Sequence, residues 1–129
     1  MKTYKKIVIL ASTILLLTAG CQNKAVAPVQ PAEQVFNGTT VTVQMNKGIF
    51  NPDSITVSKG TKVVFQNIDS TPHWPASNPH PTHDIYPEFD PQQNVDSGTS
   101  WSFVFGKVGT WRYHDHLNPT MRGTIVITN

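Results

Sequence analysis

The sequence predicts an all-β domain, a Greek-key β-sandwich or barrel, set behind an export signal and a short linker. Three observations carry this prediction. From Thr39 onward, apolar residues that are mostly β-branched or aromatic alternate with other residues, the period of strands with one buried face. Gly48, Gly60, Gly98, Gly109 and Gly123 punctuate the alternating runs at turn-like positions. No stretch of this region sustains a helical period. Short strands separated by turns close as sheets around one core.

The elements follow in chain order. Lys2, Lys5 and Lys6 form a basic head, and residues 7–17 form an apolar run broken only by Ser12 and Thr13. A basic head with so short an apolar run is a secretory signal and not a membrane span. Leu17-Thr18-Ala19-Gly20-Cys21 resembles a bacterial lipobox, with Thr18 where an aliphatic residue is usual. The resemblance implies cleavage before Cys21 and a diacylglycerol group on its thiol. The expected organisation is therefore a lipoprotein signal peptide over residues 1–20, a flexible tether over 21–37 and a single domain over 38–129. Residues 22–34 are polar, contain Pro28 and Pro31 and have no hydrophobic period, which suits a tether. An exported, lipid-anchored protein on the extracytoplasmic side of the membrane is the expected product.

Strands are then expected around Val41, Val43 and Met45, around Ile55 and Val57, and around Val63 and Phe65. Later ones centre on Trp101, Phe103 and Phe105, on Trp111 and Tyr113, and on Ile125 and Ile127. Residues 72–91 break the rhythm with Pro72, Pro75, Pro79, Pro81, Pro87 and Pro91. Prolines at this density exclude a central strand or a long helix. The same segment carries Trp74, Ile85, Tyr86 and Phe89, and disordered segments are poor in aromatic residues. An ordered, packed and functional loop is expected. Its acidic residues Asp84, Glu88 and Asp90 read as solvated surface.

Charge and cysteine content narrow the function. Removing Lys2, Lys5 and Lys6 takes the formal charge from +2 to −1, so no basic patch is left for nucleic acid. Cys21 is the only cysteine and belongs to the lipobox. The domain therefore has neither a disulfide nor a thiolate ligand, and no Cys-His or Ser-His-Asp nucleophile set is evident.

All five histidines lie in two stretches: His73, His80 and His83 in the proline-rich segment, and His114 and His116 near the end of a strand. Imidazole is the commonest protein ligand for borderline metals, and this confinement points to a metal centre. On a strand, His114 and His116 share one face and Tyr113 and Asp115 the other.

Phe50-x-Pro52-x-x-Ile55-x-Val57-x-x-Gly60-x-x-Val63, Phe65-x-Asn67-x-Asp69, Gly109-Thr110-Trp111-x-Tyr113 and Met121-x-Gly123-x-Ile125-x-Ile127 together resemble the cupredoxins, the small Greek-key copper domains of the plastocyanin and azurin type. The resemblance covers roughly residues 39–128. It implies His73 as the first histidine ligand and Met121 as the axial methionine. The ligand loop departs from the family: Asp115 stands at the cysteine position and Asn118 at that of the second histidine. His114-Asp115-His116 resembles the His-Cys-His element of multicopper oxidases with its cysteine replaced.

Two sites are therefore open. In the leading one, a single copper is held mainly by His80, His83, His114 and His116, with His73 as a fifth ligand or a supporting residue. The other is an inner site of His73, Asp115 and Met121. Asp115 is equally suited to orienting an imidazole, and Met121 to core packing. Copper is the expected ion and zinc the alternative, since copper(II) stands highest in the Irving–Williams order. Copper carriage or buffering at the cell envelope is the leading function, and an enzymatic role is the less favoured expectation. Electron transfer and small copper oxidoreductase chemistry on superoxide or oxygen are the alternatives. The expected partners are the metal ion, the membrane through Cys21 and a redox or copper-transfer protein.

Overall fold

The computed structural model describes residues 35–129. The expected signal segment, Cys21 and the expected tether as far as residue 34 lie outside the described residues. Eight strands form the domain: β1 (Thr40–Asn46), β2 (Ile49–Asn51), β3 (Ser54–Ser58), β4 (Lys62–Asn67), β5 (Pro75–Ser77), β6 (Ser100–Val104), β7 (Gly109–Asp115) and β8 (Asn118–Thr128). They make two four-stranded sheets, ordered β2-β1-β4-β6 and β3-β8-β7-β5. The β1–β4 and β3–β8 pairs are parallel and the other pairs antiparallel. All-β architecture in two sheets is what the alternation predicts.

The inward side chains of both sheets form one core. Val43, Met45, Val63, Phe65, Ile125 and Ile127 are buried at two-residue spacing along β1, β4 and β8. Burying an aliphatic or aromatic side chain of this size contributes about 1.5–3 kcal/mol. At the centre, Phe65 meets Phe89 at a ring-centroid distance of 5.4 Å and Tyr113 at 5.5 Å. Gly123 lies opposite Tyr113 in the β7–β8 register, and a Cβ at that position would run into the phenol ring. Gly60, with φ +87°, allows a close approach of another kind: a Cβ there would stand 2.7 Å from the Val35 carbonyl oxygen. Asn37 docks beside it, donating from its backbone N–H to the Gly60 carbonyl at 2.9 Å.

The proline-rich segment is ordered, as its aromatic content predicts. Tyr86 and Phe89 are fully buried, and Phe89 lies 5.0 Å from Phe105 and 5.6 Å from Tyr113 between ring centroids. The segment also contains a strand that its sequence conceals. β5 pairs with β7 at the sheet edge, in the register Pro75↔Asp115, Ala76↔His114 and Ser77↔Tyr113. An edge strand tolerates proline because one side of its backbone has no ladder to complete. This pairing brings the loop alongside β7, next to His114.

Candidate metal centre

His80, His83, His114 and His116 converge. Each offers one ring nitrogen to a cluster in which no two of these atoms lie farther apart than 4.8 Å. Strand β7, the turn that follows it and the proline-rich loop bring them there. His114 points outward from β7, on the face opposite Tyr113, and His116 follows a β-bulge between His114 and Asp115. His80 and His83 arrive as the loop leaves β5. The loop is fastened at both ends of this stretch: Asn78 N–H donates to the Arg112 carbonyl at 3.0 Å, and Ser77 Oγ–H to the His83 carbonyl at 2.7 Å. His83 itself has φ 57°, a left-handed backbone that costs a non-glycine residue on the order of 1–3 kcal/mol. The surrounding hydrogen bonds hold it there.

Hydrogen bonds outside the cluster decide which nitrogens face inward. His83 Nδ1–H donates to Asp90 Oδ2 at 2.7 Å and His114 Nδ1–H to Asn78 Oδ1 at 2.8 Å. Both rings are thereby fixed in the tautomer whose Nε2 lone pair is available to an ion. His80 Nδ1 stands 3.3 Å from His114 Nε2, and His116 Nδ1 stands 3.1 Å from His83 Nε2. Four nitrogens at a bond length of about 2.0 Å from one ion are separated by about 3.3 Å in a tetrahedron. The chemistry of the donor set fits a borderline divalent ion, copper(II) or zinc.

The electrostatics favour the ligand form of His114 and His116. Burial, followed by the neighbouring His83, His80 and His116, pushes His114 down to about 4. Burial also lowers His116, and His80 and His83 add to the effect. Neutral imidazole is the form that binds metal, so little proton displacement is needed at neutral pH. Asp90 is pushed up by burial, but the Gln92 amide, the His83 ring and the Trp74 indole outweigh this and hold its carboxyl below the usual range. Trp74 donates from Nε1 to Asp90 Oδ1 at 2.7 Å, and its ring lies 4.7 Å from that of His116. The cluster is buried on the His83 and His114 side and open at His80, which is exposed.

The inner candidates are arranged differently. His73 Nδ1 meets Asp115 Oδ2 at 2.7 Å and His73 Nε2 meets Asp69 Oδ2 at 3.3 Å. Both ring nitrogens are thus turned toward carboxylates. The other Asp115 oxygen accepts from Trp74 N–H at 2.8 Å and Leu117 N–H at 3.0 Å. Met121 is buried among the core residues. The carboxylate at the family's cysteine position therefore anchors the ends of the strands, and His73 is not in the four-histidine group.

Asp90 and Asn78, which support the site, carry no signal in the sequence. Asp90 reads there as solvated surface with Asp84 and Glu88. Asp84 and Glu88 do lie on the surface, where Glu88 pairs with Lys107 at 2.8 Å, but Asp90 turns in to His83. The seven-residue spacing of Asp90 from His83 in a proline-rich loop has no period from which the contact could be read.

No curated protein matches the sequence significantly. Among solved structures, the chain is similar to a reduced amicyanin variant, at 23% identity over 74% of this chain and 87% of that one, with a TM-score of 0.60. It is also similar to a purple cupredoxin from Nitrosopumilus maritimus, at 21% identity over 68% and 99% of the two chains, with a TM-score of 0.60. A fern plastocyanin mutant aligns at 22% identity over 68% and 100%, with a TM-score of 0.59. The model of the cupredoxin-like domain matches residues 8–127. With its two-sheet sandwich, its core strands and a sequence match along nearly its whole length, this chain belongs to the cupredoxin-like domain family.

Proposed function

We propose that this protein binds copper at a thiolate-free centre of His80, His83, His114 and His116, and carries or buffers the ion at the cell envelope. The observation that carries the reading is the convergence of four imidazole nitrogens within 4.8 Å, two of them with tautomers fixed from outside. Carriage is favoured over electron transfer on two grounds. The intense colour and fast electron exchange of blue copper depend on a copper–thiolate bond, and the only cysteine is Cys21. The exposed His80 also offers a side on which ligands can be exchanged for those of a receiving protein.

The test is copper(II) titration of the full chain and of two variants, followed by electron paramagnetic resonance. Wild type is expected to show several nitrogen couplings with weak visible absorption. The His114→Ala/His116→Ala double variant should lose the ion, and His73→Ala should keep it. Loss in His73→Ala with retention in the double variant would move the centre to the inner pocket. Zinc competition measures the choice of ion.

Electron transfer is the second reading, favoured by the Trp74 ring lying 4.7 Å from the His116 ring. Reversible cyclic voltammetry with fast self-exchange would select it over carriage. The envelope location rests on the lipobox. Mass spectrometry of the protein from membranes should find a diacylglycerol-modified Cys21 at the mature N-terminus, lost in Cys21→Ser.

A further inference from the structure

The histidine cluster leaves two neighbouring cations unexplained. Arg122 is the direct cross-strand neighbour of His114, and Arg112 precedes His114 by two residues. All three therefore share the outer face of the β7–β8 ladder. Two guanidinium groups beside a metal centre repel each other and the ion, so the sheet gains nothing from placing them there. Among the described residues neither arginine forms an ion pair. Arg122 makes one side-chain hydrogen bond, from Nε–H to the Pro119 carbonyl at 3.0 Å, so the donors on its outer nitrogens remain for a ligand.

Two cavities meet at Arg122. One of about 310 Å³ is lined by Asp53, Asn78, Arg112 and Arg122 among others. A second of about 250 Å³ is lined by Asn78, His80, His114 and Arg122 among others. Asn78 and Arg122 belong to both. The two arginines against Asp53 give the first cavity a formal charge of +1, which matches one negative charge. The second is lined jointly by Arg122 and two of the four histidines. A guanidinium fork matches a carboxylate, donating two parallel N–H groups to its two oxygens.

We propose that this face is a binding site for a small monovalent anion, of the carboxylate class, held by Arg122 beside the open edge of the metal centre, with Arg112 extending the site along the sheet. The contact to the ion rests on the metal reading above; the arginine contacts do not. The arrangement couples metal and anion occupancy, because each charge placed on one side favours the other.

The full chain loaded with copper(II) tests this, with copper content measured on every sample. Azide serves as the probe, read by its charge-transfer absorption and by the resonance spectrum, with acetate as competitor. Azide is expected to bind wild type and to be displaced by acetate. Arg122→Gln should retain copper and bind azide about tenfold more weakly, the loss of one charge-assisted contact. Lys59→Gln, which makes the same charge change near the opposite end of β8, should stay within about twofold of wild type, as expected of a screened distant charge. Equal azide affinity in Arg122→Gln and wild type, or equal losses in the Arg122 and Lys59 variants, would overturn the proposal. If the chain takes up no copper, the metal reading falls and metal-free protein decides the arginine site. Saturable shifts of the Arg122 and Arg112 Nε–H resonances with acetate support the site, and their absence overturns it.

Discussion

Replacing Asp90 by asparagine tests the centre without touching a ligand. The amide oxygen of the introduced asparagine can keep the place of Asp90 Oδ1, which accepts from Trp74 Nε1–H at 2.7 Å and from Gln92 N–H at 2.8 Å. The amide nitrogen then takes the place of Oδ2 and points its protons at His83 Nδ1, now 2.7 Å from a carboxylate oxygen. Two donors cannot face each other, so His83 must move its proton to Nε2, the atom turned toward His116 Nδ1 at 3.1 Å. The lone pair that should meet the ion is lost or must be recovered by turning the ring. Removing the partner that orients a ligating histidine typically lowers metal affinity about 10- to 100-fold, or about 1.4–2.7 kcal/mol. Copper(II) affinity measured by chelator competition should fall by that factor, and the resonance spectrum should lose one strong nitrogen coupling. The same change at the exposed neighbour, Asp84→Asn, should leave both unaltered. An Asp90→Asn protein that binds copper within about twofold of wild type, with an unchanged spectrum, would refute the assignment of His83 as a ligand oriented from behind.

Three further outcomes are expected. Phe89→Ala removes a fully buried ring from between the sheets, and urea unfolding should show a loss of about 3–5 kcal/mol together with weaker copper binding; an intact copper affinity would separate the loop from the core. Gly123→Ala sets a methyl group against the buried Tyr113 ring and should cost about 1–3 kcal/mol in the same assay, with a cost near zero showing that the ring can swing aside. The metal-free protein should lose stability on acidification: His114 is pushed down to about 4 from an ordinary value of 6.5, so between those limits the unfolded chain takes up a proton that the folded chain refuses. This contribution is complete above pH 6.5, falls as the pH drops toward 4, and amounts to at most about 3 kcal/mol. Urea midpoints for wild type and His114→Gln should converge as the pH is lowered from about 7.5 to about 4.5, and parallel curves would show that His114 does not titrate this way.

The period-two strands were legible because their burial is written directly into side-chain type. Val41, Val43 and Met45, or Trp111 and Tyr113, announce a face whatever they pack against. β2 and β5 were not legible for the opposite reason. Ile49–Asn51 is too short to show a period, and Pro75–Ser77 is buried at all three positions, so it has no alternation to read. β5 is a strand only because β7 offers it an edge. The four histidines could be grouped from the alternation on β7 and the short spacing in the loop, but their exclusion of His73 could not. That depends on Asp115 and Asp69 reaching His73 from positions 42 and 4 residues away in sequence. The same holds for Asp90 and Asn78, whose roles exist only after the loop has folded over the sheet.

If the centre carries copper as proposed, the burial of Tyr86 and Phe89 has a kinetic consequence for metal traffic. A segment whose aromatic rings are lodged between the two sheets cannot swing away as a lid without unpacking the interior of the domain. Uptake and release must then proceed with the frame closed, by substitution of one imidazole after another, beginning at the rim where His80 meets solvent. Partner proteins would compete for a coordination position and not for a conformation.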